Sequence, residues 1–100
     1  MSMSVIVAGF EWDEGNWPKC GKHGVTKDEI EAMFALAPAV FQDESHSEIE
    51  ERFKAIGTID GQRYIYVNFT LRATSEKTLL LRPVSARYMH RREIEKYAQK

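Results

Sequence analysis

The sequence is poor in several things that would each have pointed to a class of protein. It has one cysteine, Cys20, among 100 residues. An internal disulfide is therefore impossible, and a cysteine-based zinc site is disfavoured. Its three histidines, His23, His46 and His90, are widely separated, and no His-Glu-x-x-His pattern or carboxylate cluster at ligand spacing accompanies them. No metal site and no other cofactor is expected. No apolar run approaches the length of a membrane span, so no membrane partner is expected. Residues Met1 to Phe10 lack the basic start and long apolar stretch of a secretory leader, which makes the cytoplasm the expected compartment. Repeats and low-complexity tracts are missing as well.

What is present fits one compact domain over residues 1–100, since a chain of this length has no room for a second core. The formal net charge of −1 argues against a protein that coats nucleic acid electrostatically. That total hides an asymmetry. Residues 1–50 hold 3 Lys/Arg against 10 Asp/Glu, whereas residues 51–100 hold 11 against 5. Seven of the basic residues in the second half are arginines, the side chain suited to bidentate phosphate contacts. Either the two halves neutralise each other within one fold, or the second half presents a basic face.

Along the chain, Val5 to Trp12 is apolar and β-prone and reads as a short strand. Gly15, Pro18 and Gly21 disfavour a long helix in the next stretch; a short one from Pro18 to His23, stopped by Gly24, costs least. Thr26 and Glu29 have capping-box spacing, with Val25 and Ile30 placed as a hydrophobic staple. Ile30, Met33, Phe34 and Ala37 then repeat at helical spacing until Pro38. Val40 and Phe41 suggest a brief strand before a polar loop, Asp43 to Ser47. Arg52 to Ile59 and Arg63 to Arg72 alternate around Asp60-Gly61, a strong hairpin signal. A third strand covers Lys77 to Arg87, with Pro83 indicating an edge or a bulge. A basic helix, about His90 to Ala98, closes the chain. The expected fold is α+β: an antiparallel β-sheet meander with the helices on one side, N-terminal helices packed on it and a short C-terminal helix.

Five blocks in order carry a resemblance: Phe10-Glu11-Trp12-Asp13, Lys22-His23-Gly24-Val25, Glu51-Arg52-Phe53 with Ala55-Ile56-Gly57, Phe69-Thr70, and Ser85-Ala86-Arg87. Together they resemble the successive blocks of the BrnT family and span nearly the whole chain. The resemblance implies a RelE-like fold, ribonuclease activity and an antitoxin partner of the ribbon-helix-helix (BrnA-like) type, in a two-plus-two complex that touches operator DNA only through the antitoxin. The chain departs from the family pattern at Asn16 and Lys19, where a lysine and an asparagine usually stand. It departs again at His90, where a threonine usually precedes the glutamate.

RNA cleavage without a metal needs a group to take the proton from the 2′-hydroxyl, one to protonate the leaving 5′-oxygen, and cations for the charged transition state. Arg87, matching the Ser-Ala-Arg block at the end of the last strand, is the strongest candidate; its structural alternative is an ion pair with an acidic residue of the first half. Arg52 is a candidate phosphate ligand and Glu51 a candidate base, although neighbours on one strand point to opposite faces. Lys22 and His23 fit phosphate contact and proton transfer, or simply a favourable position at a helix C-terminus. His90 would cap the last helix near Arg87, as a neutral base or as a surface residue. Tyr66 could stack an unpaired base or pack as an ordinary sheet tyrosine. Arg72 and Arg82 complete the expected substrate-binding set. The primary expectation is an endoribonuclease toxin acting on RNA. The alternative is a non-catalytic module that binds its antitoxin and co-represses their operon.

Overall fold

A computed structural model of the chain describes residues 7–44, 50–74 and 77–98. Val5 and Ile6, much of the polar loop after Asp43, and His46 lie outside the described residues. The elements run β1 (Gly9–Phe10), α1 (Lys27–Ala35), β2 (Ala39–Gln42), β3 (Arg52–Thr58), β4 (Tyr64–Ala73), β5 (Leu79–Tyr88) and α2 (Arg91–Ala98). The strands form one sheet in the order β1-β5-β4-β3-β2. β2 to β5 are the antiparallel meander read from the sequence. β1 joins it parallel to β5, through Gly9↔Leu80 and Phe10↔Leu81, so the sheet is mixed. The α+β class holds.

Alternation sorts the side chains into two faces. Phe53 and Ala55 of β3, Ile65, Val67 and Phe69 of β4, and Leu81 and Ala86 of β5 are all buried in one core. α1 covers this inner face with Ile30 and Met33, both fully buried, and with Phe34, whose ring meets Phe69 edge-on at 5.2 Å. Phe69 also stacks on Phe53 at 5.5 Å and is the centre of the core. The helix starts where the sequence says. Thr26 Oγ1 accepts from the Glu29 N–H at 3.1 Å, Glu29 Oε1 accepts from the Thr26 N–H at 3.0 Å, and Val25 and Ile30 are both buried. Its C-terminal end lies so close to β3 that a Cβ on Gly57 would stand 2.9 Å from Pro38 Cβ and 3.0 Å from Met33 Cγ.

Two expectations need correction. The helix expected from Pro18 to His23 is a single 3-10 turn, Lys19–Gly21, so one α-helix precedes the meander rather than several. Cys20 of that turn packs into the core, and a Cβ at Gly21 would collide with the Trp17 ring. Asn16 is buried here because its amide is fully used: Nδ2 donates to Glu11 O and Pro83 O, and Oδ1 accepts from the Asp13 N–H. Secondly, α2 lies on the opposite face from α1, against the outer face of the sheet: Glu93 holds Arg87 there, and Tyr97 meets Tyr64. Pro83 marks a bulge and not an edge, since β5 sits between β1 and β4 and the register slips opposite Asn68/Phe69. The proline is tolerated because β1 has already ended at Phe10, paired with Leu81.

Candidate active site

The outer face is a lattice set by strand register. One row runs Arg87–Tyr66–Ile56 across β5, β4 and β3. The next runs Ser85–Asn68–Lys54–Phe41, reaching β2. A third runs Arg82–Thr70–Arg52, and Leu80–Arg72 follows. Rows on one face are spaced by ~7 Å along the strands, and neighbouring strands by ~4.8 Å.

Arg87 is held on this face by a carboxylate and a ring. Its two terminal nitrogens donate to both oxygens of Glu93 at 2.7 and 2.8 Å, and its guanidinium lies 4.8 Å from the centre of the Tyr66 ring. The bidentate fork fixes the guanidinium plane, and the ring supports it from one side. Glu93 is held at α2's first turn, where its Oε1 also accepts from the His90 N–H at 2.9 Å. The Arg87 guanidinium and then the His90 N–H keep the Glu93 carboxyl down at about 2. Glu93 in turn raises the pKa of Arg87. Glu93 is therefore ionised throughout the neutral range and carries no proton there. The Arg87 N–H groups that Glu93 leaves unused remain for an incoming phosphate.

The other expected site residues divide sharply. Tyr66 is beside Arg87, and His90 is tied to it through Glu93. Arg52 shares the face, yet its row is two rows from that of Arg87, roughly 13 Å along the strands at ~3.3 Å per residue. Glu51 precedes β3, is exposed, and accepts from Gln42 Nε2 at 2.7 Å; by alternation it points away from Arg52 and off the outer face. Lys22 and His23 are exposed in the turn before α1, and no hydrogen bond or ion pair joins either to Arg87, Tyr66 or Arg52 among the described residues. Arg82 is already engaged: Asp13 takes both terminal nitrogens at 2.8 and 3.0 Å, and Glu11 takes one at 2.9 Å. Arg72 faces Glu50 at 3.4 Å, with both side chains about half-exposed. The structural alternative raised for Arg87, pairing with the acidic first half, is realised at Arg82 and Arg72 instead.

Sequence reasoning passed over Lys54. It lies on the outer face between Phe41 and Asn68, half-buried, and has no ion-pair partner among the described residues. The available signal was its position two residues from Arg52 on the same strand face. Beside it, Ser85 Oγ, Asn68 and Asp43 form a polar chain, with Asn68 Nδ2 donating to the buried Asp43 Oδ2 at 3.0 Å. No group of three or more His, Cys, Asp or Glu side chains that could hold a metal occurs among the described residues. The assembled face is thus a rigid arginine, an unpaired lysine and phenol rings, a set that binds and neutralises anionic groups.

No helix of the described chain is long and apolar enough to cross a membrane. None of the curated proteins matches the chain. Residues 12–93 match the family described as the ribonuclease toxin, BrnT, of a type II toxin-antitoxin system. That match takes in α1, the whole meander and the Arg87–Glu93 pair, and the chain belongs to this family of ribonuclease toxins.

Proposed function

We propose that this chain is a metal-independent endoribonuclease toxin that cuts RNA on the outer face of its sheet, inhibits growth, and is neutralised by a ribbon-helix-helix antitoxin. The observation that carries the site is the Arg87 guanidinium, fixed by Glu93 and Tyr66 and backed by the unpaired Lys54 on the same face. In the reaction the ribose 2′-oxygen attacks the neighbouring phosphorus, the bond to the 5′-oxygen breaks, and the proton lost from the first is regained by the second. Arg87 stabilises the charge that builds on the phosphate oxygens, in a geometry set before substrate arrives. His90 lies three residues beyond Arg87 and binds the same Glu93 through its backbone N–H, and its imidazole takes the role of proton carrier. Arg52, too distant to share the Arg87 phosphate, holds another phosphate of the same strand. Lys22, His23 and Glu51 have no part in this arrangement.

The test is cleavage of RNA by purified toxin in EDTA. Wild type should cut, and Arg87→Ala should cut on the order of 10²- to 10³-fold more slowly, the loss typical of one stabilising donor. Equal rates for the two proteins would remove Arg87 from the mechanism, and no cutting by wild type would remove the activity.

A second reading is supported by the extent to which the arginines are already neutralised, Arg82 by Glu11 and Asp13 and Arg72 by Glu50. On that reading the chain is a non-catalytic module that binds its antitoxin and tightens operator binding. It predicts no growth arrest when the chain is expressed alone, whereas arrest reversed by the neighbouring antitoxin gene would count against it.

A further inference from the structure

On the outer face, two strands across from Arg87, lies a groove of about 550 Å³, lined by Phe41, Lys54, Ile56, Tyr97 and Ala98. We propose that this groove seats one unpaired nucleobase of the RNA, with Lys54 holding the phosphate beside it, so that the toxin selects single-stranded RNA. The inference rests on the ribonuclease reading above and names the substrate class of that same site.

Its size suits a small planar group, as small-molecule sites typically span ~300–1,000 Å³. Its lining suits one chemically: Phe41 and Ile56 are apolar, Tyr97 offers a ring, and every base has a π-face that stacks without regard to sequence. The groove also shares a cross-strand row with the proposed cutting centre. Ile56 is the cross-strand partner of Tyr66, and Tyr66 is the partner of Arg87, so a strand can place a base in the groove and its backbone on the arginine. Lys54 is the argument for an anionic occupant. A half-buried lysine lining the groove, with no carboxylate partner among the described residues, attracts a phosphate. A base inside a duplex is stacked on both faces and cannot enter, which is where the selectivity arises.

The test uses an uncleavable probe, a short 2′-O-methyl oligouridylate, alongside 2′-O-methyl oligoadenylate and the duplex of the two, with binding read by fluorescence anisotropy. Wild type should bind either single strand more tightly than the duplex. Tyr97→Ala should weaken single-strand binding about five- to a hundredfold, the range for loss of one stacking platform. Tyr97→Phe, which keeps the ring, should bind as wild type and so controls for folding. Lys54→Gln should lower the salt dependence by about one phosphate contact, a readout that a purely structural lysine would not move. Unchanged binding by both Tyr97→Ala and Lys54→Gln would overturn the groove assignment, as would equal affinity for single strand and duplex. Loss of neutralisation by the antitoxin in these variants, with RNA binding intact, would assign the groove to the protein partner and overturn it too. The ribonuclease reading fails separately, by the absence of cleavage in a wild type that still binds the probe through Tyr97.

Discussion

The Arg87–Glu93 pair joins two demands on one residue. Glu93 stops the guanidinium from swinging, but it also places a negative charge where a phosphate has to approach. Removing it should therefore split two quantities that usually move together. Glu93→Ala should bind uncleavable RNA more tightly, with a steeper salt dependence, because a repulsive charge is gone and Arg87 is freed. Its turnover should nonetheless fall, because the freed arginine has lost its preset orientation. Anisotropy titrations and single-turnover cleavage separate the two; a parallel fall in both would show Glu93 to be a structural support only. Cys20 gives a second prediction at this scale. Burial pushes its thiol up to about 11, so the reactive thiolate is scarce at neutral pH. Iodoacetamide should leave the folded protein unlabelled and modify it at the rate of unfolding, as mass spectrometry in a urea series would report.

At the scale of elements, α1 is the part most exposed to single changes. Its capping box is complete, and Glu29 additionally accepts from the Tyr88 hydroxyl at 2.8–2.9 Å, which ties the helix start to the end of β5. Thr26→Ala should cost about 1 kcal/mol in urea unfolding, the usual value of such a cap. At the other end, Gly57→Ala should cost roughly 1–3 kcal/mol, because Pro38 and Met33 cannot both give way. The first effect was legible in the sequence, and the second was not. Capping, alternation and the Asp60-Gly61 turn are local rules, and each reappears: Asp60 Oδ1 accepts from the N–H groups of Gln62 and Arg63. What escaped were relations between distant segments. The parallel docking of β1 on β5 and the placement of α2 opposite α1 are fixed by long-range packing, on which local periodicity is silent. Arg87 was singled out by the Ser-Ala-Arg block and Tyr66 by strand alternation, and the register lays the two side by side. Lys54 was missed because its value lies in having no carboxylate partner, and pairing is visible only once the strands are laid side by side.

The whole molecule is held together across its charge asymmetry. Among the described residues β1 contributes two to the sheet, and the acidic segment that follows is held by further bonds. Arg82 supplies them, gripping Asp13 and Glu11 from the middle of β5, while Asn16 fastens the same segment to Pro83. The Arg82 guanidinium, with the Gly15 N–H, holds the Asp13 carboxyl down at about 2, and Arg87 does the same to Glu93. Both pKa values are depressed in the folded state, so each group contributes stability that is fully present above the ordinary carboxylate range near pH 4. As pH falls below that range the unfolded chain takes up protons that the folded chain refuses, and the contribution is lost by about pH 2. Thermal melting followed by circular dichroism should show a melting temperature that is flat above about pH 5 and falls steeply between about pH 4 and 2. Arg82→Gln provides the control, because it removes the cause of the Asp13 shift while keeping a side chain of similar length. That variant should melt lower than wild type at neutral pH, and the two curves should converge on acidification, since only wild type has this contribution to lose. Curves that stayed parallel down to pH 2 would mean that the clasp on the N-terminal segment adds nothing to stability. The segment would then be held by the bonds that remain, Asn16 on Pro83, the β1 pairing with β5 and the Trp12 Nε1–H donating to Glu31.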